Sequence, residues 1–286
     1  MRFRKLAPAL LVVAPLATLL TPHGVQTIDA APKGAKAGAP ACGVTALPLV
    51  VGNQWTYSFV PAPLPAPPDI ARIAPPTPKG FVIAVKDIQT KDGDTVVSLE
   101  EKLTYDFTKD PKKPNVEERV VNTTITCNAK KFDVSPDSFF FAGEPGGYQG
   151  MTINSIERKG TSYVFAKSGN FGDAPWPEDI KAKWAKKPFE KSGAKDASGT
   201  IEIERRFTPQ EPETVATKSM AYPKAEKIAI AITGRITLDK PLSADLKPAE
   251  LPANWLNTMW FAPGTGVIQS LNSYAHMYQL VDSQLK

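Results

Sequence analysis

Apolar and polar residues change places at every step in run after run of this chain. Trp55, Tyr57 and Phe59 alternate with Gln54, Thr56 and Ser58. The stretches 200–207 and 226–238 alternate in the same way, the latter around Ile228, Ile230 and Ile232. A period of two puts successive side chains on opposite faces of an extended strand, whereas a helix needs a period of 3.6. The alternation therefore predicts a mainly β chain. Further strands are expected at 81–90 and 95–107, joined by a hairpin at Asp92-Gly93, and at 117–128 and 161–168. The runs 254–263 and 266–281 form a terminal hairpin over Pro263-Gly264-Thr265-Gly266. "SFFFAG" (138–143) is a short apolar run, and Gly143, Gly146, Gly147 and Gly150 loosen the chain after it. The expected fold is a curved antiparallel sheet or open half-barrel of about nine or ten strands with one or two short helices.

Two segments interrupt the pattern. Residues 61–78 hold eight prolines in eighteen positions. Proline has no N–H for a sheet ladder and fixes φ, so this stretch is a Pro-rich loop or surface strap. Residues 171–199 are a Lys-rich loop or short helix. Pro177, Glu178 and Asp179 suit a helix N-terminus, and Lys181, Lys183, Lys186 and Lys187 suit its other end. Ile180 and Trp184, four apart, would share a face. In a second reading, Pro177 to Trp184 repeats the proline-to-tryptophan spacing of Pro48 to Trp55, as two copies of one phrase leading into strands.

The N-terminus is a targeting signal. Arg2, Arg4 and Lys5 precede an apolar run, Leu6 to Leu20, that contains Pro8 and Pro15. A bilayer span needs about 20 uninterrupted apolar residues, so residues 1–30 are expected to be a signal peptide cleaved near Ala30. Residues 31–46 read as a flexible arm and 47–286 as a single β-rich domain. The expected location is the periplasm or the extracellular space. The formal net charge of +5 falls when the leader goes, leaving a field too weak to indicate nucleic acid. Cys42 and Cys127 are the only cysteines, and an even pair in an exported chain suggests a disulfide.

Histidine limits the chemistry. His23 leaves with the leader, so the mature chain has only His276. No CxxC, HExxH or calcium-loop pattern is present, and neither a metal nor another cofactor is expected. Nucleophilic catalysis by Cys127 and His276 would require both side chains within hydrogen-bond reach, and a disulfide would abolish it. Glu202 and Glu204 are spaced as a glycosidase pair could be, but a solvated strand face beside Arg205 and Arg206 explains them better. The lysines at 181–196 flank Trp184 and could meet an acidic lipid, although a solvated loop is the plainer account.

"PLVVGNQWTYSF" (48–59) and "WFAPGTGVIQSLNSY" (260–274) together resemble a loose group of exported bacterial proteins of unknown function, many of them lipoproteins. Pro48, Gly52, Trp55, Tyr57, Trp260, Ala262, Pro263, Gly264 and Gly266 carry the match. The resemblance implies a strongly curved antiparallel sheet, distantly like the lipoprotein-carrier half-barrels, and it implies no activity. This chain departs from the group in lacking a lipobox cysteine and in carrying the Pro-rich insert. The expected function is therefore a non-catalytic exported β-protein that binds an apolar or amphiphilic ligand, or an envelope partner, on its curved sheet. Trp55, Tyr57, Phe59, Trp255 and Trp260 are the candidate ligand-binding residues. The alternatives are an interaction module without a small ligand and, more remotely, a carboxylate-based envelope hydrolase. A concave face filled by the protein's own residues favours the module, and a continuous apolar pocket favours the carrier.

Overall fold

The structure is a computed structural model and describes residues 40–68, 71, 74, 76–145, 151–186, 197–239 and 251–286. The leader (1–30) and most of the arm lie outside the described residues. The strands are β1 (Gln54–Pro61), β2 (Gly80–Lys91), β3 (Asp94–Asp106), β4 (Val116–Cys127), β5 (Phe132–Val134), β6 (Met151–Gly160) and β7 (Trp176–Lys186). They continue with β8 (Ala197–Ala216), β9 (Ala221–Leu238), β10 (Leu251–Ala262), β11 (Gly266–Leu271) and β12 (His276–Gln284). One helical turn, α1 (Phe139–Ala142), interrupts them, and a 3-10 turn spans Ala41–Gly43.

All the strands form one antiparallel sheet in the order β5-β4-β3-β2-β1-β12-β11-β10-β9-β8-β7-β6. The first five strands step from the centre to one end. The chain then crosses to the opposite end and steps back, so that β12 closes on β1. Register shifts at Thr56/Tyr57, Val85/Asp87, Ile153/Ser155 and Trp260/Phe261 mark bulges, which add local twist. The sheet curls until its two ends meet. Phe132 of β5 receives the amide of Tyr163 at 3.2 Å, and the Val134 amide donates to Ser162 Oγ at 3.0 Å. Isolated bonds rather than a continuous ladder span this seam, so the sheet is open.

The predicted hairpin between β2 and β3 is present: Asp92 and Gly93 have φ of 54° and 85°, the pair of positive values that a tight hairpin turn requires. Other expectations are corrected. Residues 176–186 form a strand, not a helix or loop, with Trp176, Ile180, Ala182 and Trp184 buried and Lys181 and Lys183 exposed. Positions i and i+4 share a face at either period, so the Ile180–Trp184 spacing fitted both forms. Pairing with β6 and β8 decided between them. The repeated phrase is not a structural repeat, because Pro48 precedes β1 while Pro177 lies within β7. Residues 161–168 are irregular, bridged only at Phe165–Phe171, and 266–281 splits into β11 and β12 at a turn through Ala275. The end of the expected arm is core, since Val44 and Ala46 are buried beside Leu47 and Leu49.

Cys42 and Cys127 form a disulfide with Cα atoms 5.9 Å apart. It joins the start of the described residues to the end of β4 across 85 residues. Closing a loop of this length lowers the entropy of the unfolded chain and stabilises the fold by about 4–5 kcal/mol at most. Replacing both cysteines by serine is expected to lower the unfolding free energy by about 2–4 kcal/mol, seen as an earlier urea midpoint. An unchanged midpoint would contradict this role.

Candidate functional site

The concave face of the sheet is where the sequence placed a binding surface. Trp55 and Tyr57 lie on it and are fully buried. The indole N–H of Trp55 donates to the Thr265 carbonyl at 2.5 Å, and the Tyr57 hydroxyl donates to the Val267 carbonyl at 2.8 Å. Both bonds tie β1 to the β10–β11 turn region and fix the rings. Phe59 is partly buried, with its ring 6.0 Å from Tyr278 and 6.1 Å from His276. Trp260 is different. It alternates with Met259 and Phe261, and its indole donates to Glu213 at 2.5 Å beside Lys227. The shifts of register at Gln210/Glu213 and Glu213/Val215 bend the end of the β8–β9 hairpin over this outer position. Trp260 therefore does not join Trp55 and Tyr57. Trp255 pairs with Ile232 in the β9–β10 ladder.

What covers Trp55 and Tyr57 is the crossing segment itself. Phe139 packs 4.9 Å from Tyr57 and 4.8 Å from Phe81, and Phe140 meets the edge of Trp55 at 5.8 Å. All three phenylalanines of α1 are buried. A single helical turn has little stability of its own. It persists because each of its ends is held. Ser138 caps the N-terminus by accepting from the Phe140 amide, and Gly143 ends the turn at φ 65° while donating to the Phe139 carbonyl at 2.7 Å.

Three buried carboxylates pin this plug to the sheet. Glu101 of β3 is fully buried and accepts from Ser138 Oγ at 2.7 Å, from the Phe139 amide at 3.0 Å and from Thr123 Oγ1 at 3.1 Å. Burial pushes its pKa up to about 7, against the pull of these three hydrogen bonds, which lower it. Glu144, at the far end of the plug, accepts from Asn272, from Tyr278 Oη at 3.1 Å and from His276 Nδ1 at 3.0 Å. Burial and the Glu144 carboxylate push the Tyr278 phenol well up, so it remains a donor. Glu178 of β7 meets Arg158 and Arg205, with Arg205 Nε at 2.7 Å, and Arg205 in turn donates to the Phe141 carbonyl. The Arg205 guanidinium carbon lies over the Phe141 ring, 3.4 Å from its centroid. Tyr163 Oη donates to the Phe140 carbonyl at 2.7 Å and Ser270 Oγ to that of Gly143 at 3.1 Å.

His276 has a second partner, Thr77 Oγ1 of the Pro-rich strap, at 2.9 Å from Nε2. With Nδ1–H donated to Glu144, Nε2 accepts the Thr77 hydroxyl. The hydroxyl, imidazole and carboxylate stand in the order used in nucleophilic catalysis. Here the carboxylate also takes Asn272 and Tyr278, and the array ties strap, plug and β12 into one unit. The Cys127–His276 pair has no thiol, because Cys127 is in the disulfide. Glu202 and Glu204 are exposed, paired with Lys181 at 3.1 Å and Arg206 at 3.6 Å. Arg205, a chain neighbour of that solvated face, is fully buried between Ile203 and Phe207. Among the described residues no group of three His, Cys, Asp or Glu side chains is placed to hold a metal ion.

The run 138–143 stands out in the sequence as short and apolar, but its role as a plug does not. The signal was there: Ser138 before three phenylalanines and Gly143 after them form a capped single turn. Glu101, Glu144 and Glu178 carry no such local mark.

No family model and no characterised protein matches the sequence. Two solved structures are similar. One is a chain provisionally described as a lipoprotein from Parabacteroides distasonis, 13% identical, covering 84% of this chain and 99% of that one, with a TM-score of 0.48. The other, from Bacteroides fragilis, is provisionally described as an exported protein with a YmcC-like fold. It is 14% identical and covers 83% of this chain and 98% of that one, with a TM-score of 0.44.

The geometry of the plug generates two expectations. Phe139→Ala should cost about 3–5 kcal/mol in urea unfolding, the range for a core ring. A loss below about 1 kcal/mol would mean that the plug is a lid resting on the sheet. Glu101 is held with a pKa raised from 4.5 to about 7. Its contribution is therefore full below about pH 4.5 and is lost as the pH rises through about 7, a change of about 3 kcal/mol. Glu101→Gln should gain stability relative to the wild type by about that amount between pH 4.5 and 7.5. Parallel stability curves for the two proteins would refute a raised pKa at this site.

Proposed function

We propose that the chain is an exported, non-catalytic β-sheet module of the cell envelope that recognises its partner or ligand outside its concave aromatic face. One observation carries this reading: Phe139, Phe140 and Phe141 occupy the space over Trp55, Tyr57 and Phe81. Burying a phenylalanine contributes about 1.5–3 kcal/mol, so lifting three would cost about 5–9 kcal/mol. That is of the same order as the whole stability of a domain, about 5–15 kcal/mol. A segment this costly to move acts as core and not as a door. The filled face thus favours the module over a carrier that holds a lipid inside the sheet.

Export is supported by the basic and apolar leader and by the disulfide, which persists in an oxidising compartment. The outer face supports a soluble module. It carries cross-strand pairs of opposite charge, such as Lys86–Glu100 at 3.2 Å, Lys102–Glu118 at 3.2 Å and Arg206–Asp179 at 2.8 Å. Exposed pairs of this kind contribute little stability and keep a sheet face wet. The non-catalytic reading rests on the arrangement of the charged groups: Glu202 and Glu204 are held in surface ion pairs, and Glu101, Glu144 and Glu178 are engaged in holding the plug.

Native mass spectrometry of the protein after export tests the reading. The expected mass begins near residue 31, lacks two hydrogens for the disulfide, and carries no lipid that survives until unfolding. A stoichiometric lipid released only when the fold is lost would overturn the module in favour of an interior carrier.

A further inference from the structure

The seam where the two ends of the sheet meet leaves a groove of about 420 Å³ on its outer side. Three stretches wall it: residues 42–44, the β4–β5 turn at 128–132, and the irregular segment 161–169. These walls are tied to one another in a closed triangle. The Cys42–Cys127 disulfide joins the first to the second. The Phe132 amide donates to Thr161 Oγ1 at 2.7 Å and the Tyr163 amide to the Phe132 carbonyl at 3.2 Å, joining the second to the third. The amides of Thr45 and Ala46 both donate to the Gly169 carbonyl, at 3.1 and 3.2 Å, joining the third to the first. The last contact is close enough to require glycine: a Cβ on Gly169 would lie 2.7 Å from the Gly43 carbonyl oxygen, and φ there is 78°. The groove is thus preformed, and little chain entropy remains to be lost when something enters it.

Its chemistry is one-sided. Phe165, half-buried, stands edge to face at 5.0 Å on the buried Phe132 ring and gives the groove an apolar wall. Val164 beside them is 42% exposed, an apolar side chain left in water at the rim. Lys130, Lys131 and Lys167 also line the groove, and among the described residues no aspartate or glutamate does. Lys131 is paired at 2.7 Å with Asp94, which stands outside the lining. Lys130 and Lys167 are exposed. The volume falls in the range of small-ligand sites, about 300–1,000 Å³.

We propose that this groove binds a small anionic amphiphile, its head between Lys130 and Lys167 and its apolar body against Val164 and Phe165. The charge is complementary to an anion and opposed to a cation, and the apolar surface of Val164 and Phe165 asks for more than a bare ion. This rests on the reading of the protein as a module that recognises its ligand outside the filled concave face, and it names the class of ligand and the place.

The test titrates octyl phosphate, inorganic phosphate and octyltrimethylammonium into the isotopically labelled mature protein below micellar concentrations. Amide shifts and titration calorimetry are the readouts. Octyl phosphate should bind saturably, with shifts confined to 42–45, 128–132 and 161–169. Inorganic phosphate should bind about tenfold more weakly or not at all, and octyltrimethylammonium should not bind. The variant Lys130→Glu/Lys167→Glu changes two exposed side chains and should melt like the wild type while losing about tenfold in affinity. Equal binding of bare phosphate, equal binding of the cation, unchanged affinity in the variant, or shifts spread over the sheet interior would each overturn the proposal. Failure of octyl phosphate with no lipid in the native mass spectrum sinks the groove and leaves the module reading standing. A lipid retained until unfolding in the charge-reversed variant sinks the module reading itself.

Discussion

A sheet that curls until its ends meet has an inside, and that inside must be filled. Here the filling is three consecutive phenylalanines on one turn of helix, laid against Trp55, Tyr57, Phe81 and Tyr278. Much of the buried polar chemistry serves to hold that turn. A lone turn exposes amides at one end and carbonyls at the other, and in a dry interior each of these must find a partner. Glu101 takes the Phe139 amide, while Tyr163, Arg205 and Ser270 take the carbonyls of Phe140, Phe141 and Gly143. The buried charges follow from the plug, because its backbone cannot be left unsatisfied.

The chain path makes this arrangement possible. One meander runs from the centre of the sheet to one end, a second returns from the opposite end, and the two join at β1 and β12 in the centre. The single connection between them must run from one end of the sheet to the other, and it is this connection that carries the plug. The same curling brings β5 to the segment after β6, where Arg158 reaches both Glu178 and the Val134 carbonyl. The seam therefore has an inner side, held by a buried ion cluster, and an outer side, held by the disulfide and the contact of Gly169 with residues 43–45. The inner side is closed, and the outer side leaves the groove.

Much of the fold was legible in the chain because strands with one wet face write their geometry locally. The alternation at 54–59, 200–207 and 226–238, the Asp92-Gly93 turn and the cysteine pair each came through. The failures share a cause. At 176–186 proline, acids and lysines signalled a helix, but pairing on both sides made a strand, and the inward side chains fit either period. At 161–168 the residues favoured a strand, yet the chain bends there to close the seam. The aromatic residues proposed as one surface were split, because Trp260 belongs to the outer face under the bent hairpin.

Period-two patterning, a basic and apolar leader and two cysteines determined by themselves that this is a β-rich chain with one disulfide and the marks of an exported protein. They also showed that a large share of its aromatic side chains must turn inward. Only the tertiary structure decided what those rings face. Glu101, Glu144, Glu178 and Arg205 sit on ordinary strand or turn positions, and nothing beside them in the chain announces burial. Their partners lie 16 to 134 residues away. Local sequence sets which face of a strand a side chain takes, but the curvature that turns one face into an interior is a property of the whole sheet.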